Sequence, residues 1–212
     1  MKLVKEIEHL NQMLVKMAER VSENIKIALD IYYEFDSNKL DLINDDIVDL
    51  HERLIEELCL NIMLKERPYA KDLRIVSGIL KLVSDLERLG DHAEDIRDFA
   101  IKLNNTEHHK IPKLDEAIAI VLKMVNDSIL SYVSKDINLA NDVIRRDDIV
   151  DKLYDECLDI IIKNNGKEYS SDYSIYTTLV LKYIERIADH AVNVCEWVIY
   201  IFSGFHKDKQ IF

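Results

Sequence analysis

Two acidic motifs each occur twice in this chain. Asp-Asp-Ile-Val-Asp stands at 45–49 and again at 147–151. Glu-Arg-Leu-Gly-Asp-His-Ala at 87–93 returns as Glu-Arg-Ile-Ala-Asp-His-Ala at 185–191. The same two motifs in the same order in each half make the chain two copies of one unit. The copies are not the same length, however. Asp45 to Asp147 is an offset of 102 residues and Glu87 to Glu185 one of 98, so the second copy has lost four residues between its motifs. Four residues are close to one helical turn, which keeps an acidic face in phase if the loss falls inside a helix. A shorter loop near Gly166 would explain the offset equally well.

The unit is helical. Only 4 Gly and 2 Pro interrupt 212 residues of which 48% are hydrophobic, and apolar positions recur at helical spacing nearly throughout. The pattern predicts helices over about 3–35, 38–64 and 69–103 in the first half. In the second it predicts helices over 112–134, 137–163 and 171–203. Asp36-Ser37-Asn38 supplies cap residues for the second helix, and Pro68 can open the third. Gly166 suits the position just past a helix, and Ser170, Ser171 or Asp172 can cap the last one. The polar run 104–112, ending in Pro112, separates the halves. The predicted fold is therefore all-α, with two tandem three-helix bundles over 1–106 and 107–212. Its 212 residues can bury a sizeable core without staples.

Charge and cysteine usage narrow the function. A net charge of −12 repels phosphate backbones, so nucleic acid is not expected as a partner. Cys59, Cys157 and Cys195 are odd in number and sit in apolar stretches, which predicts buried thiols in a reducing, cytoplasmic setting. The N-terminus is charged too early for a signal peptide. No run of about 18 uncharged apolar residues predicts a membrane span. The end of the chain, 202–212, reads as a frayed tail.

Within each motif, acids stand four residues apart, so Asp45 with Asp49, Glu87 with Asp91, Asp147 with Asp151 and Glu185 with Asp189 share a helix face about 5–6 Å apart. Short connections make neighbouring helices antiparallel, and the second and third helices of each copy can bring two such pairs level. Like charges at this spacing repel by a few tenths of a kcal/mol per pair, which a bound cation would relieve. Oxygen-rich sites suit Mg²⁺, Ca²⁺ and Mn²⁺, and carboxylate clusters also hold iron. The competing reading is a solvated face with ordinary ion pairs, such as Asp49 with Arg53 and Asp148 with Lys152. His92 and His190 point about 100° away from the neighbouring Asp and read as packed histidines. Arg88 and Arg186 are expected to fix a carboxylate on a neighbouring helix. Arg74 suits a cap or bridge. No nucleophile elbow or glycine-rich phosphate cradle is present.

Four stretches resemble the PhoU family of phosphate-transport accessory regulators. They are Pro-Tyr-Ala-Lys-Asp-Leu-Arg at 68–74, the segments 87–93 and 185–193, and the twin pentapeptide. The resemblance spans nearly the whole chain. It implies multinuclear metal clusters held by Asp45, Asp49, Glu87 and Asp91, and by Asp147, Asp151, Glu185 and Asp189. Iron is the metal the family suggests most, with Zn, Mn, Mg or Ca possible. It also implies a non-enzymatic negative regulator linking the ATPase subunit of a phosphate ABC transporter (PstB-like) to a sensor kinase (PhoR-like). Membrane contact would come only through partners, and a homodimer is expected. Asn193 replaces Asp95, and the second copy lacks the 68–74 segment, so the copies are not equivalent. A metal-dependent enzyme with a carboxylate-bridged cluster and a metal-free helical scaffold are the alternative functions.

Overall fold

A computed structural model describes residues 2–207 and the backbone of Lys209 and Gln210. Six long helices carry the fold: α1 (Lys2–Tyr33), α2 (Asp45–Lys65), α3 (Lys71–Leu103), α4 (Pro112–Ser134), α5 (Ile137–Asn164) and α6 (Ser171–Ser203). They form two three-helix bundles, α1–α3 and α4–α6, joined most extensively where α3 lies along α6. One continuous apolar core runs through both, from Leu10 and Leu14 on α1 to Val194 and Val198 on α6. The expected all-α architecture with two three-helix repeats is therefore present.

Helix ends follow local chemistry. Asp136 accepts from the backbone N–H groups of Asn138 and Leu139, and Ser170 from that of Tyr173, satisfying donors that open helices leave free. Pro112 opens α4, where its missing N–H costs nothing. Gly166 follows the C-cap Asn165 with a φ of 72°, a left-handed conformation that glycine adopts freely.

Two expected starts moved. The second helix begins at Asp45 and not near 38, because Asp36 caps a separate 3-10 segment, Ser37–Leu42, and buried Ile43 pins the chain before Asn44 caps α2. Pro68 does not open α3; the helix starts at Lys71, after Arg67 and Ala70 take positive φ values of 47° and 48°.

The four-residue slip is also located. The connection from Asn164 to Ser171 is no shorter than that from Lys65 to Lys71. Instead, Asp147 lies nearer the end of α5 than Asp45 does to the end of α2, and Glu185 lies nearer the start of α6 than Glu87 does to the start of α3. The α5–α6 hairpin is thus trimmed in both arms, which leaves its acidic motifs facing each other.

Residues 205–207 are not frayed. Phe205–His206 pairs antiparallel with Lys209–Gln210, and the His206 ring stacks on Trp197 with centroids 4.0 Å apart. Asp208, Ile211 and Phe212 lie outside the described residues. Among the described residues, α4 is the one helix long and apolar enough to cross a membrane by length and composition, and half of that stretch is buried in the molecule. Cys59, Cys157 and Cys195 are free and buried, as expected.

Candidate metal centres

The eight predicted acids divide evenly between the two bundles, four on α2 and α3 and four on α5 and α6. In the first, Asp45 is the opening residue of α2, where the helix N-terminus favours a negative charge. Its carboxyl is nevertheless pushed up to about 7, first by burial and then by the charges of Asp91, Asp49, Glu94 and Glu87. Those charges come from both α2 and α3. Glu87 is likewise raised by burial and by Asp91, with Arg88 opposing. In the second group, Asp147 is pushed up to about 6 by burial, then by Asp151, Asp189, Asp148 and Glu185. Asp189 is raised by burial and by Glu185.

As the side chains stand, no three Asp, Glu, His or Cys side chains among the described residues converge on one point. The acids form two electrostatic clusters, not two closed cages. The donor set still fits a hard cation, which prefers carboxylate oxygens. One oxygen in particular lacks a partner: Asp45 Oδ1 is buried without a hydrogen bond. A Cβ built on Gly90 would stand 2.7 Å from that same oxygen, so the missing side chain at Gly90 is what lets Asp45 press against α3. Unpaired buried carboxylate oxygen is costly unless something positive satisfies it.

The arginines behave differently from expectation. Arg88 does not reach another helix; its Nη1 bonds Asp91 Oδ2 at 2.9 Å and its Nε stands 3.5 Å from Glu87 on its own helix. Three residues along a helix lie on one face, within easy reach of a guanidinium. Arg186 does face the neighbouring helix, where its charge acts on Asp95 and His92. Arg53 bonds the backbone carbonyl of Asp49 at 3.4 Å, not its carboxylate. Arg74 is a helix bridge: its Nε donates to the Ile201 carbonyl at 3.0 Å, at the end of α6, where the helix dipole is negative.

The histidines are packing residues at the seam between the bundles. His92 is buried, and its ring stands 5.4 Å from that of His190. His190 Nδ1 lies 2.9 Å from Asp85, which also accepts from Asn193 at 3.1 Å. The equivalent arm pairs His92 with Tyr183 at 5.3 Å between rings and with Asp95 at 3.5 Å. Burial, together with the positive charge a protonated His190 would carry, pulls His92 down to about 4. Asp85 carries no sequence mark, because its counterpart in the other copy is Tyr183. Asp95 was legible as the next member of the stripe through Glu87 and Asp91, whereas Glu94, whose charge acts on Asp45, was not.

The PhoU domain family matches residues 14–100 and again 114–198. The chain is 34% identical over 96% of its length to the "Phosphate-specific transport system accessory protein PhoU homolog" of Clostridium acetobutylicum, covering 95% of that protein. A crystal structure of PhoU from Pseudomonas aeruginosa superimposes with a TM-score of 0.89 at 29% identity, over 95% of this chain and 99% of that one. The phosphate transport system regulatory protein PhoU from Streptococcus pneumoniae has the same fold, with a TM-score of 0.89 over 98% of this chain and all of that one.

Proposed function

The chain belongs to the PhoU family, and on that premise we propose that it is an accessory regulator of a phosphate-specific transport system. The observation that carries this reading is the family match to both repeats, joined to whole-length similarity with a relative named as the transport system's accessory protein. Related proteins are named as accessory or regulatory proteins, so the proposed role is binding and signalling, not catalysis. The proposed partners are the ATPase subunit of the phosphate transporter and a membrane sensor kinase, met at the cytoplasmic face. The direction of control is negative: the protein restrains phosphate-starvation gene expression.

Metal clusters are part of the proposal. Asp45, Asp49, Glu87 and Asp91 would hold one, and Asp147, Asp151, Glu185 and Asp189 the other. A bound cation would supply positive charge beside Asp45, Glu87, Asp147 and Asp189, whose carboxyls burial and neighbouring acids hold above their usual range. The chain's own part is to fix α2 against α3, and α5 against α6, so that both acid pairs of each copy stay level. That would make the shape of each hairpin depend on the state of its cluster, which suits a protein read by partners.

The test has two arms. A deletion strain should show starvation genes expressed in high phosphate, and the full-length gene should restore repression. The purified protein should bind the transporter's ATPase in a direct assay. Normal repression in the deletion strain, together with no ATPase binding, would sink the regulator reading. Elemental analysis of protein purified without chelator tests the clusters separately.

A further inference from the structure

The segment 68–74 occurs in the first copy alone, and the acidic clusters make no use of it. It closes the α2–α3 hairpin. Pro68 is buried there, while positive φ values at Arg67 and Ala70 turn the chain so that Tyr69 stands 87% exposed. Leu64, in the last turn of α2, is 76% exposed. Among the described residues these two are the most exposed large hydrophobic side chains, and they share one tip. Leu60 and Leu73 beside them are exposed as well. The tip of the α5–α6 hairpin is built differently. Its Tyr169 is only 6% exposed and lies against His109, with ring centroids 4.7 Å apart.

The first tip also reverses the sign of the molecule. Residues 64–74 hold Lys65, Arg67, Lys71 and Arg74 against Glu66 and Asp72, a formal +2, which leaves −14 on the rest of the chain. In the other hairpin, residues 162–172 set Lys163 and Lys167 against Glu168 and Asp172 and balance to zero. Glu66 is paired with Lys2 of α1, and Asp72 sits in the first turn of α3, where the helix N-terminus favours it. Arg74 is held by the Ile201 carbonyl. Lys65, Arg67 and Lys71 are the exposed cations that remain. Packing brings others to the same end. The Lys2–Glu66 pair places the start of α1 beside the tip, with Lys5 next to Glu6. Lys71 and Lys135, from the end of α4, line one cleft of about 600 Å³ together with Lys16 and a single acid, Glu19.

We infer that this end of the molecule binds the surface of an anionic membrane directly, with Leu64 and Tyr69 entering the head-group layer and Lys65, Arg67 and Lys71 facing lipid phosphates. This differs from the expectation of membrane contact through partners alone. Apolar side chains set beside a tyrosine and cations form the composition that settles at the boundary between head groups and acyl chains. The net charge of −12 does not forbid the contact, because at physiological salt a charged surface senses charges only within about 8 Å. A protruding tip needs a matching pocket in a rigid protein partner but none in a fluid head-group layer. The inference needs neither the metal clusters nor the regulator reading.

The experiment is co-sedimentation of the full-length protein, in chelator, with phosphatidylcholine vesicles and with vesicles in which about a quarter of the lipid is phosphatidylglycerol, at about 0.1 M salt. Binding to the anionic vesicles alone is expected, weakening as salt rises. Lys65→Glu with Lys71→Glu should lower vesicle affinity at least about twentyfold, since each basic residue near the surface is worth about fivefold. Leu64→Ser with Tyr69→Ser should lower it at least about tenfold and leave the salt dependence in place. Lys163→Glu with Lys167→Glu makes an equal charge change at the other hairpin and should alter affinity less than about twofold. Circular dichroism melts establish that each variant is folded, and Lys65→Gln with Lys71→Gln stands in for the charge reversal if that variant is not. Equal binding to neutral and anionic vesicles, no binding to either, or an equal loss from the Lys163 and Lys167 changes overturns the inference. Tip variants that abolish ATPase binding, in a protein that never binds vesicles, would make the tip a protein-docking surface: the inference falls and the regulator reading stands.

Discussion

His92 and His190, equivalent residues of the two repeats, face each other with ring centroids 5.4 Å apart where α3 lies along α6. The seam between bundles is thus built by one residue meeting its own copy. Around that pair the copies diverge, with Asp85, which also accepts from Asn193, holding His190, and Tyr183 and Asp95 beside His92. Replacing His190 by Ala removes one of the two partners of a carboxylate that is only 15% exposed. Such a loss costs about 1–3 kcal/mol. Urea unfolding of the variant should show that loss, and a change below about 0.5 kcal/mol would mean the seam does not depend on the ring.

The acid clusters give the stability of the stripped protein a definite pH dependence. Asp45 is pushed up to about 7 and Asp147 to about 6 from 3.8, in both cases chiefly by burial. The folded state therefore binds more protons than the unfolded state between those values, and stability falls as pH rises from about 4 to about 7. Asp45→Asn cannot titrate, so it should gain on the parent protein as pH climbs through that window. Melting temperatures of both proteins in chelator, taken at half-unit steps, check this. A gap that narrows toward neutral pH is the contrary result.

Gly90→Ala separates stability from cation binding. The new methyl group would meet Asp45 Oδ1 at 2.7 Å and Val48 Cγ1 at 3.1 Å. Alanine gains about 1 kcal/mol of helix propensity over glycine, while the crowding costs a comparable amount. The melting temperature should hardly move, yet Asp45 must turn away from α3. Mn²⁺ affinity of the first cluster should drop about tenfold, a change of 1.4 kcal/mol in binding. Unchanged affinity would show that Asp45 is not placed by Gly90.

Arg74 and Gly204 form one device at the end of α6. Arg74 holds the Ile201 carbonyl, and Gly204 turns the chain at a φ of 89° with its missing Cβ 2.9 Å from Arg74 Nη1. Arg74→Ala should cost about 1–2 kcal/mol through the lost charge-assisted bond at the helix end. Gly204→Ala should cost about 1 kcal/mol or more from the left-handed backbone alone. Because the residues touch, the double variant should be less destabilised than the sum, by at least about 0.5 kcal/mol in a denaturant cycle. Strict additivity would deny the contact.

Local periodicity determined the six helices, the two repeats and the stripes that put Asp45 beside Asp49 and Glu87 beside Asp91. These depend on 3.6 residues per turn and on capping residues such as Asp136 and Ser170, all carried by short stretches of chain. The duplication itself announced that two acidic clusters would exist. Tertiary structure alone decided that His92 meets His190, that Asp85 joins them, that Arg88 turns back along its own helix and that Arg74 reaches the far end of α6. It also showed where the four missing residues went, trimmed from both arms of one hairpin. The physical reason is the same in each case. Spacing along a helix fixes which side chains share a face, but only packing fixes which faces meet. Charges such as Arg186 and Glu94 acquire their meaning from the neighbours that packing brings to them.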